Sequence, residues 1–544
     1  MTAPTMRRSP AEMRAELMSE YQSWSAQASA RPIVELWDKN WEHSLPVMNE
    51  TQAKFMRKLN DTGEGNLVLF GSEAMRQYIV DELGVWEDLH VRVRTGYWEW
   101  TGKCTRIEYE SDTEGFEYIS LKFVHEFEHI KKVMCFCNPF FPAELQYPKI
   151  WAYAGPSQFG IVTTLFLNLF RRFGLPWTMS DNIFDPASWL ANFNPANHPI
   201  VVVPKPLLFD TSMWCVLATR FGNFYDVVLP TLKDAGLDLN VYRWFPGMPQ
   251  PAPDYYTLTK PTLVVDVVNK SGYVGPTGTL VDGALSFVTQ VADDLINEVR
   301  TAVAYEESPE YSIGKWLGTT RINPWVTFRA PANTYNIGPV QSWKAITAKA
   351  TASSIVTGGH SPDWVNAGMK LLLNAALGYL GQAIGNPGLG LGIFDKQVED
   401  VVLAFHRTPN PPRMVQMGEW GPPFGEAWES TGGKGFSLSA LQAIRVGFYR
   451  SRAYRVHEAT VRPGAPYWPG AHFTTGDRVN VEIGATGNLW TDYVFGIECS
   501  WDRANDPDFA ITIGDGVVED TPGAILSRQL AMTKDLIQSI GVSS

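Results

Sequence analysis

The stretch Ile119-Ser120-Leu121-Lys122-Phe123-Val124-His125-Glu126-Phe127-Glu128-His129 decides what fold to expect and how to weigh the sharpest chemical motif in the chain. Ile119, Leu121 and Phe123 alternate with Ser120 and Lys122, the period of two that a half-buried strand requires. From Phe127 onward the apolar positions fall at Ile130 and Val133/Met134, a helical interval. A strand-to-helix junction is therefore predicted inside the stretch, with His125 on the apolar face of the strand and Glu126 opposite. Zinc hydrolases of the His-Glu-x-x-His type need the whole motif on one helix, so that both imidazoles share a face and the Glu activates water. That requirement fails here, and no third ligand follows at a helical offset. Cys135-Phe136-Cys137 lies close by, which makes His125, Glu126, His129, Cys135 and Cys137 the metal-ligand candidates of the chain. All five fall within one short segment, whereas tetrahedral sites close around the ion from two separated knuckles. A Cys-x-Cys pair at strand spacing fits two small buried hydrophobes. No metal, cofactor or catalytic residue is expected.

Working outward, period two governs residues 32–123: Trp98, Trp100 and Gly102 share one face, and turn signals stand at Asn60-Asp61-Thr62-Gly63, Gly71-Ser72 and Glu114-Gly115. It returns at Val479, Val481 and Ile483, at Tyr493, Phe495, Ile497, Cys499 and Trp501, and at Phe509, Ile511 and Ile513. Helices are expected at about 10–26, where Ser9-Pro10-Ala11-Glu12 has capping-box spacing, and at 158–173, 212–229, 283–302 and 522–540. Leu263 to Val268 reads as a buried strand, and Pro246 to Pro253 as a proline-punctuated linker. The fold class expected is α+β, mostly β. The division predicted is a helical arm at 1–30, a β domain at 31–137 with residues near 200–260 as candidates to complete it, and a helix-containing insertion at 138–260. An α/β domain at 261–405 and a C-terminal β domain with a final helix at 406–544 complete the chain.

Leu371 to Phe394 carries no charge and approaches the ~20 residues that span a bilayer. Its glycines, Gly381 and Gly385 among them, would interrupt a spanning helix. Leu371, Leu377, Gly381, Gly385, Leu389 and Phe394 are therefore read as a helix and glycine loop at a subunit interface, with a channel plug or membrane contact as the alternatives. Gly388-Leu389-Gly390-Leu391-Gly392 and Thr431-Gly432-Gly433-Lys434-Gly435 lack the rest of any phosphate-binding fingerprint and are read as loops. His360-Ser361 are adjacent and point apart, and no Gly-x-Ser-x-Gly elbow occurs. Asp293/Asp294 and Glu399/Asp400 are read as solvated helix faces rather than glycosidase pairs.

The 544 residues exceed what one core holds, so three or four domains are expected. A net charge of −12 argues against static binding of nucleic acid, which needs Lys and Arg to replace phosphate counterions. Five sparse cysteines argue against a secreted disulfide framework, and the charged first 30 residues against a signal peptide, so assembly in a reducing cytoplasm is expected. Twenty Trp together with 46 Gly and 37 Pro suit short strands, frequent turns and large contact surfaces.

An ordered set of segments carries a resemblance over nearly the whole chain. It runs from Pro32-Ile33-Val34-Glu35-Leu36-Trp37-Asp38 through Lys58-Leu59-Asn60-Asp61-Thr62-Gly63, Asn138-Pro139-Phe140-Phe141-Pro142-Ala143-Glu144 and Ala154-Gly155-Pro156-Ser157. It continues through Val264 to Gly272, Val356-Thr357-Gly358-Gly359-His360-Ser361 and Gly476-Asp477-Arg478-Val479. In these the chain resembles the minor tail proteins of long-tailed actinobacterial phages of the mycobacteriophage type, and through them the tail-tip baseplate hub and tail-associated lysin proteins. The resemblance implies a homotrimer at the virion tail tip that caps the tail tube, with two tube-like β domains per subunit giving six similar walls. It implies as partners the distal tail protein, the tape-measure protein and other minor tail proteins, with phage DNA passing through the lumen and contact with the host envelope during infection. It supplies no catalytic residue, and the His125 segment aligns with scaffold. Two rival readings stand beside it: a tail-associated zinc peptidase acting on the cell wall through His125, Glu126 and His129, and a receptor- or carbohydrate-binding tail protein using the aromatics of Trp420 to Trp428.

Overall fold

A computed structural model describes residues 30–83, 87–174, 192–304, 313–330, 339–360, 405–418, 425–434, 450–462, 467–484 and 487–514, with scattered positions between and beyond them. Leu371, Leu377, Gly381, Gly385, Leu389, Phe394 and Trp420 lie outside the described residues, as does nearly all of 522–540. The positions described between Arg14 and Ala26 are helical.

Strands dominate. From the N-terminal region come β1 (Ile33–Trp37), β2 (Ser44–Val47), β3 (Glu50–Lys58), β4 (Glu64–Phe70), β5 (His90–Thr95), β6 (Trp98–Ser111) and β7 (Glu117–His125). The middle supplies β8 (Trp151–Pro156), β9 (Ile200–Val202), β10 (Trp214–Thr219), β11 (Leu237–Trp244), β12 (Thr262–Asn269), β13 (Tyr273–Val274), β14 (Thr320–Arg321) and β15 (Thr327–Phe328). Then come β16 (Val340–Ala348), β17 (Ser354–His360), β18 (Phe405–Pro409), β19 (Glu426–Lys434), β20 (Tyr454–Val461), β21 (Arg478–Glu482), β22 (Leu489–Asp502) and β23 (Asp508–Ile513). Three helices pack against the sheets nearest the candidate site: α1 (Ser157–Phe173), α2 (Phe224–Asp234) and α3 (Leu280–Ala304).

The two period-two regions predicted at opposite ends of the chain join one sheet. Its order is β16-β20-β23-β22-β3-β4-β7-β6-β5-β1-β2, with β21 and β15 branching from β22. The join is antiparallel, Gly496 to Asp502 against Lys58 to Gln52. Alternation puts Phe55, Leu67, Leu69, Ile119, Leu121, Phe123, Cys499, Trp501, Ile511 and Ile513 into a shared core. Phe55 sits at the join, its ring centroid 4.9 Å from Trp100 and 5.7 Å from Trp501. Residues 200–260 were the candidates to complete the N-terminal β domain; the described strands there, β9, β10 and β11, pair outside this sheet, and the C-terminal strands extend it instead.

The expected face Tyr493-Phe495-Ile497-Cys499-Trp501 is corrected at its start. The register between β22 and β23 shifts between Val494 and Gly496, so Val494 turns inward and Tyr493 and Phe495 turn away. One extra residue reverses the inward phase of a strand, which a strict alternation count does not anticipate.

A second core belongs to an α/β unit. In it β12 lies between β11 and β9, antiparallel to the first and parallel to the second, while β8 pairs with β10. Helices α1 and α2 bury Ile161, Leu165, Leu169, Val228 and Leu232 against Leu239, Val241, Val265 and Val267. The helix expected at 212–229 is instead strand β10 followed, after Gly222-Asn223, by α2. Cys215, Leu217 and Thr219 are inward at alternate positions, so burial on a sheet wins over the helical count.

The Pro246–Pro253 linker is the packed loop of the β11–β12 hairpin. Trp244 Nε1 donates to Pro249 O at 2.9 Å and the Leu258 amide to Gln250 Oε1 at 2.8 Å. A domain boundary at 260/261 would cut this hairpin, and one at 405/406 falls inside β18, which pairs with β17. Thr431 to Lys434, read as loop, continues β19.

Phe55→Ala should lower unfolding stability by about 3–5 kcal/mol, the range for large-to-small changes at a buried aromatic. A urea midpoint within error of the parent would mean that the join between the two ends does not hold the sheet together.

Candidate functional site

Strand β7 ends at His125 and a single helical turn, Phe127–Lys131, begins two residues later, so the predicted junction is present. His125 packs edge-on to Trp100, and its Nδ1 accepts the Phe127 amide at 3.1 Å. Burial pushes the His125 pKa down to about 3, which keeps the ring neutral. His129 lies on the turn, also lowered by burial. Cys135 and Cys137 are both buried, and burial pushes the Cys135 thiol up to about 12.

Among the described residues, the three ligating groups that come within 4.8 Å of one another are Asp38, Glu42 and His43, none of them a predicted ligand. They form the turn after β1, where Asp38 accepts the Glu42 amide at 2.8 Å and meets His43 Nδ1 at 3.0 Å.

Glu126 has a different occupation. It is fully buried, and its Oε1 accepts from Nε and Nη2 of Arg243 at 2.8 and 2.6 Å. Its Oε2 accepts from Thr101 Oγ1 at 3.2 Å. Arg243 stands on β11 of the α/β unit, so this ion pair crosses from the large sheet to its neighbour. The guanidinium lies 4.3 Å from the centroid of Trp41, which stacks on His90 at 4.7 Å and meets Phe245 at 5.7 Å. Burial holds His90 down to about 4, so this ring of the aromatic pocket stays neutral beside the ion pair. Geometry of this kind clamps two units together. It does not free a carboxylate to activate water.

A second polar seam runs beside it. Asn60, at a positive φ of 49° in the predicted Asn-Asp-Thr-Gly turn, donates to Leu237 O and accepts the Leu239 amide, both at 2.7 Å. Its side chain thus imitates a neighbouring strand. Arg57 on β3 bonds Asn240, and Lys270 meets Asp477 at 2.5 Å, linking the α/β unit to the C-terminal strands. Asp238 lies between them, pushed by burial up to about 6 against the opposing pull of Arg57 and Lys270. Where the three parts meet, a cavity of about 560 Å³ opens, bordered by Asn60, Tyr225, Lys270, Arg321, Tyr493 and Phe495. Its polar walls bond one another: Tyr225 donates to Asn60 O at 2.9 Å and Arg321 to Tyr493 Oη at 3.2 Å.

Sequence reasoning missed Arg243, Trp41, Asn60 and Asp238 as seam residues. The partners of the Glu126 pair are 117 positions apart, and no local spacing announces them. Asn60 alone carried a signal, as a turn residue able to take positive φ.

Fold and seam together describe a β-rich scaffold whose buried polar groups join its parts. The family model for Siphovirus ReqiPepy6 Gp37-like proteins matches residues 33–515, and the chain belongs to that family. It is 29% identical over 513 residues to minor tail protein Gp28 of Mycobacterium phage L5, covering 83% of this chain and 84% of that protein. Minor tail protein Gp28 of Mycobacterium phage D29 is 28% identical over 513 residues, with the same coverage. Among solved structures, the 43 kDa tail protein of prophage MuSo2 from Shewanella oneidensis aligns with 91% of this chain and 99% of its own, at 10% identity and a TM-score of 0.39. Prophage tail protein gp18 from Listeria monocytogenes aligns with 92% of this chain and 99% of its own, at 10% identity and a TM-score of 0.34.

Removing one partner of the buried pair, by Arg243→Ala, should cost about 3–5 kcal/mol, because Glu126 is left charged and dry. The double change Glu126→Gln with Arg243→Met should cost less, and calorimetry of both variants measures the difference. Asp238 gives a pH test. Its folded pKa lies above the ordinary carboxyl value, so its favourable contribution is fully present below about pH 4 and lost as pH rises through 6. Asp238→Asn should remove that slope between pH 4 and 6 in a series of melting temperatures.

Proposed function

We propose that the chain is a structural subunit of a phage tail tip, a baseplate hub that caps the tail tube as a homotrimer. In this reading it joins the distal tail and tape-measure proteins, contacts other minor tail proteins, and lines the channel through which DNA leaves. It is assembled in the host cytoplasm and resides in the virion. The observation that carries the reading is the single sheet made from both ends of the chain, in a member of a family that includes phage tail proteins. Two β regions fused side by side supply two wall segments per subunit, and three subunits supply six. Closing such walls into a ring also protects sheet edges that would otherwise recruit other chains. The net charge of −12 suits a channel that DNA passes without sticking, since few phosphate contacts have to break.

A cell-wall peptidase centred on His125, Glu126 and His129 is disfavoured because Glu126 is committed to Arg243 and His125 to the backbone of the turn.

The purified chain should have a native mass three times its 60.7 kDa by light scattering, and antibodies against it should label one end of the tail. A strictly monomeric protein absent from particles would overturn the hub assignment. Zinc-dependent release of peptides from host cell walls would revive the enzyme.

A further inference from the structure

Lys270 and Asp477 meet at the seam in a setting unlike that of the other lysine ion pairs. The Lys270 side chain is 19% exposed, the lowest value for a lysine in an ion pair among the described residues, where the others run from 22% at Lys205 to 72% at Lys132. Its Nζ lies 2.5 Å from Asp477 Oδ1, and the two residues are 207 positions apart in the chain. Both backbones are fixed. The Lys270 amide donates to Gly236 O at 2.9 Å at the end of the β11–β12 hairpin, and Asp477 O accepts the Val494 amide at 2.9 Å. Asp477 Oδ2 accepts the Thr474 amide at 2.7 Å, so the carboxyl group is held at both of its oxygens.

A third group stands beside the pair. Asp238 on β11 is buried, and its Cγ lies 3.3 Å from the position that a Cβ on Gly476 would take. Its carboxyl group therefore packs on the backbone that leads directly into Asp477. Around it the bases Arg57 and Lys270 face the acids Asp477 and Asp266. Burial raises the Asp238 pKa to about 6, with Arg57 and Lys270 pulling the other way. A carboxyl group of that pKa both takes and gives a proton near neutral pH, which is what a general acid–base has to do. Lysine in turn becomes a nucleophile once a neighbour has removed a proton from its ammonium.

We propose that Lys270 and Asp477 become joined by an amide bond in the folded chain, with Asp238 carrying the proton between them. Asp238 in its ionised form takes one proton from the Lys270 ammonium, which frees the nitrogen lone pair, and passes it to Asp477 Oδ1. The nitrogen attacks Asp477 Cγ, and the Thr474 amide stabilises the charge that develops on Oδ2. A second proton moves from the nitrogen to Oδ1, the bond from Cγ to Oδ1 breaks, and that oxygen leaves as water. One ammonium and one carboxylate become one amide and one water, so atoms and charge balance and no oxidant or co-reactant enters.

Two further features suit the reaction. The cavity bordered by Lys270 and Gly476 receives the water that leaves. Groups that a fold holds in contact react as though at very high concentration, which offsets the low reactivity of a free amine toward a free carboxylate. The bond fastens the α/β unit to the C-terminal strands across the seam. Like a disulfide, it closes a long loop and restricts the unfolded chain.

Intact mass tests the bond. The purified full chain, denatured, should weigh about 18 Da less than its sequence, the mass of one water, and a protease digest should contain a branched peptide joining the Lys270 and Asp477 segments. Lys270→Arg keeps the ion pair but cannot form the amide, so it should have its full mass and melt below the parent. Asp477→Asn should still close, now with loss of about 17 Da as ammonia. Asp238→Asn should close about 100-fold more slowly, so that most of the freshly purified variant retains its full mass. A parent that keeps its full mass after days at neutral pH overturns the proposal, leaves an ordinary ion pair, and does not touch the hub reading. Water loss that persists in Lys270→Arg places the modification elsewhere in the chain and overturns it as well. Closure of Asp238→Asn at the parent's rate removes the proton carrier and with it the mechanism. Should a variant fail to fold, the mass of the parent and its branched peptide still decide.

Discussion

Backbone pairing between Gln52–Lys58 and Gly496–Asp502 is the constraint that organises everything else in the molecule. Strands more than 400 residues apart in the chain become neighbours, so the chain leaves the sheet after β7 to build the α/β unit and rejoins it at β16. The intervening α/β unit is therefore preceded and followed by strands of the same sheet. Phe55, Trp100 and Trp501 fill the space beneath the join, and their size leaves little tolerance for slippage, because a one-residue shift would turn each side chain to the opposite face.

The seam between the sheet and the α/β unit is built from groups that are expensive to bury alone. Glu126 and Arg243 satisfy each other, with Thr101 taking the second carboxylate oxygen and Trp41 covering the guanidinium. Removing either charge is costly, while the intact pair adds little net stability over a well-packed apolar substitute. Its value lies in position: two forked donors on one carboxylate fix the angle between the units more narrowly than apolar contact does. Asn60 acts the same way on the backbone of β11, as a short polar side chain standing in for a missing strand. Fixed orientation between its parts, more than additional stability, is what such a seam supplies.

Much was legible in the residues. Alternation at Ile119, Leu121 and Phe123 placed β7, the change of period at Phe127 placed the turn after it, and 158–173 marked α1. The structure keeps that junction, with His125 ending the strand and His129 on the turn after it. Local reading failed where burial on a distant surface overrode it. Residues 214–219 became a strand because β8 offered an edge, and the proline-rich 246–253 segment packed as a hairpin loop because Trp244 and Gln250 bonded it. The phase of β22 reversed at a bulge that no count of apolar residues contains.

The amino-acid sequence by itself determined a mostly β chain, the strands at both ends, and a change of side-chain period inside the His125–His129 motif. These are consequences of side-chain period and backbone stereochemistry, which act over a few residues. Tertiary structure alone decided that the two ends share one sheet, that Glu126 answers to Arg243, and that polar Asn138 and Gln146 turn inward while Phe140, Leu145 and Tyr147 face out. Pairing across hundreds of residues depends on which surfaces must leave water together, and that is a property of the folded whole.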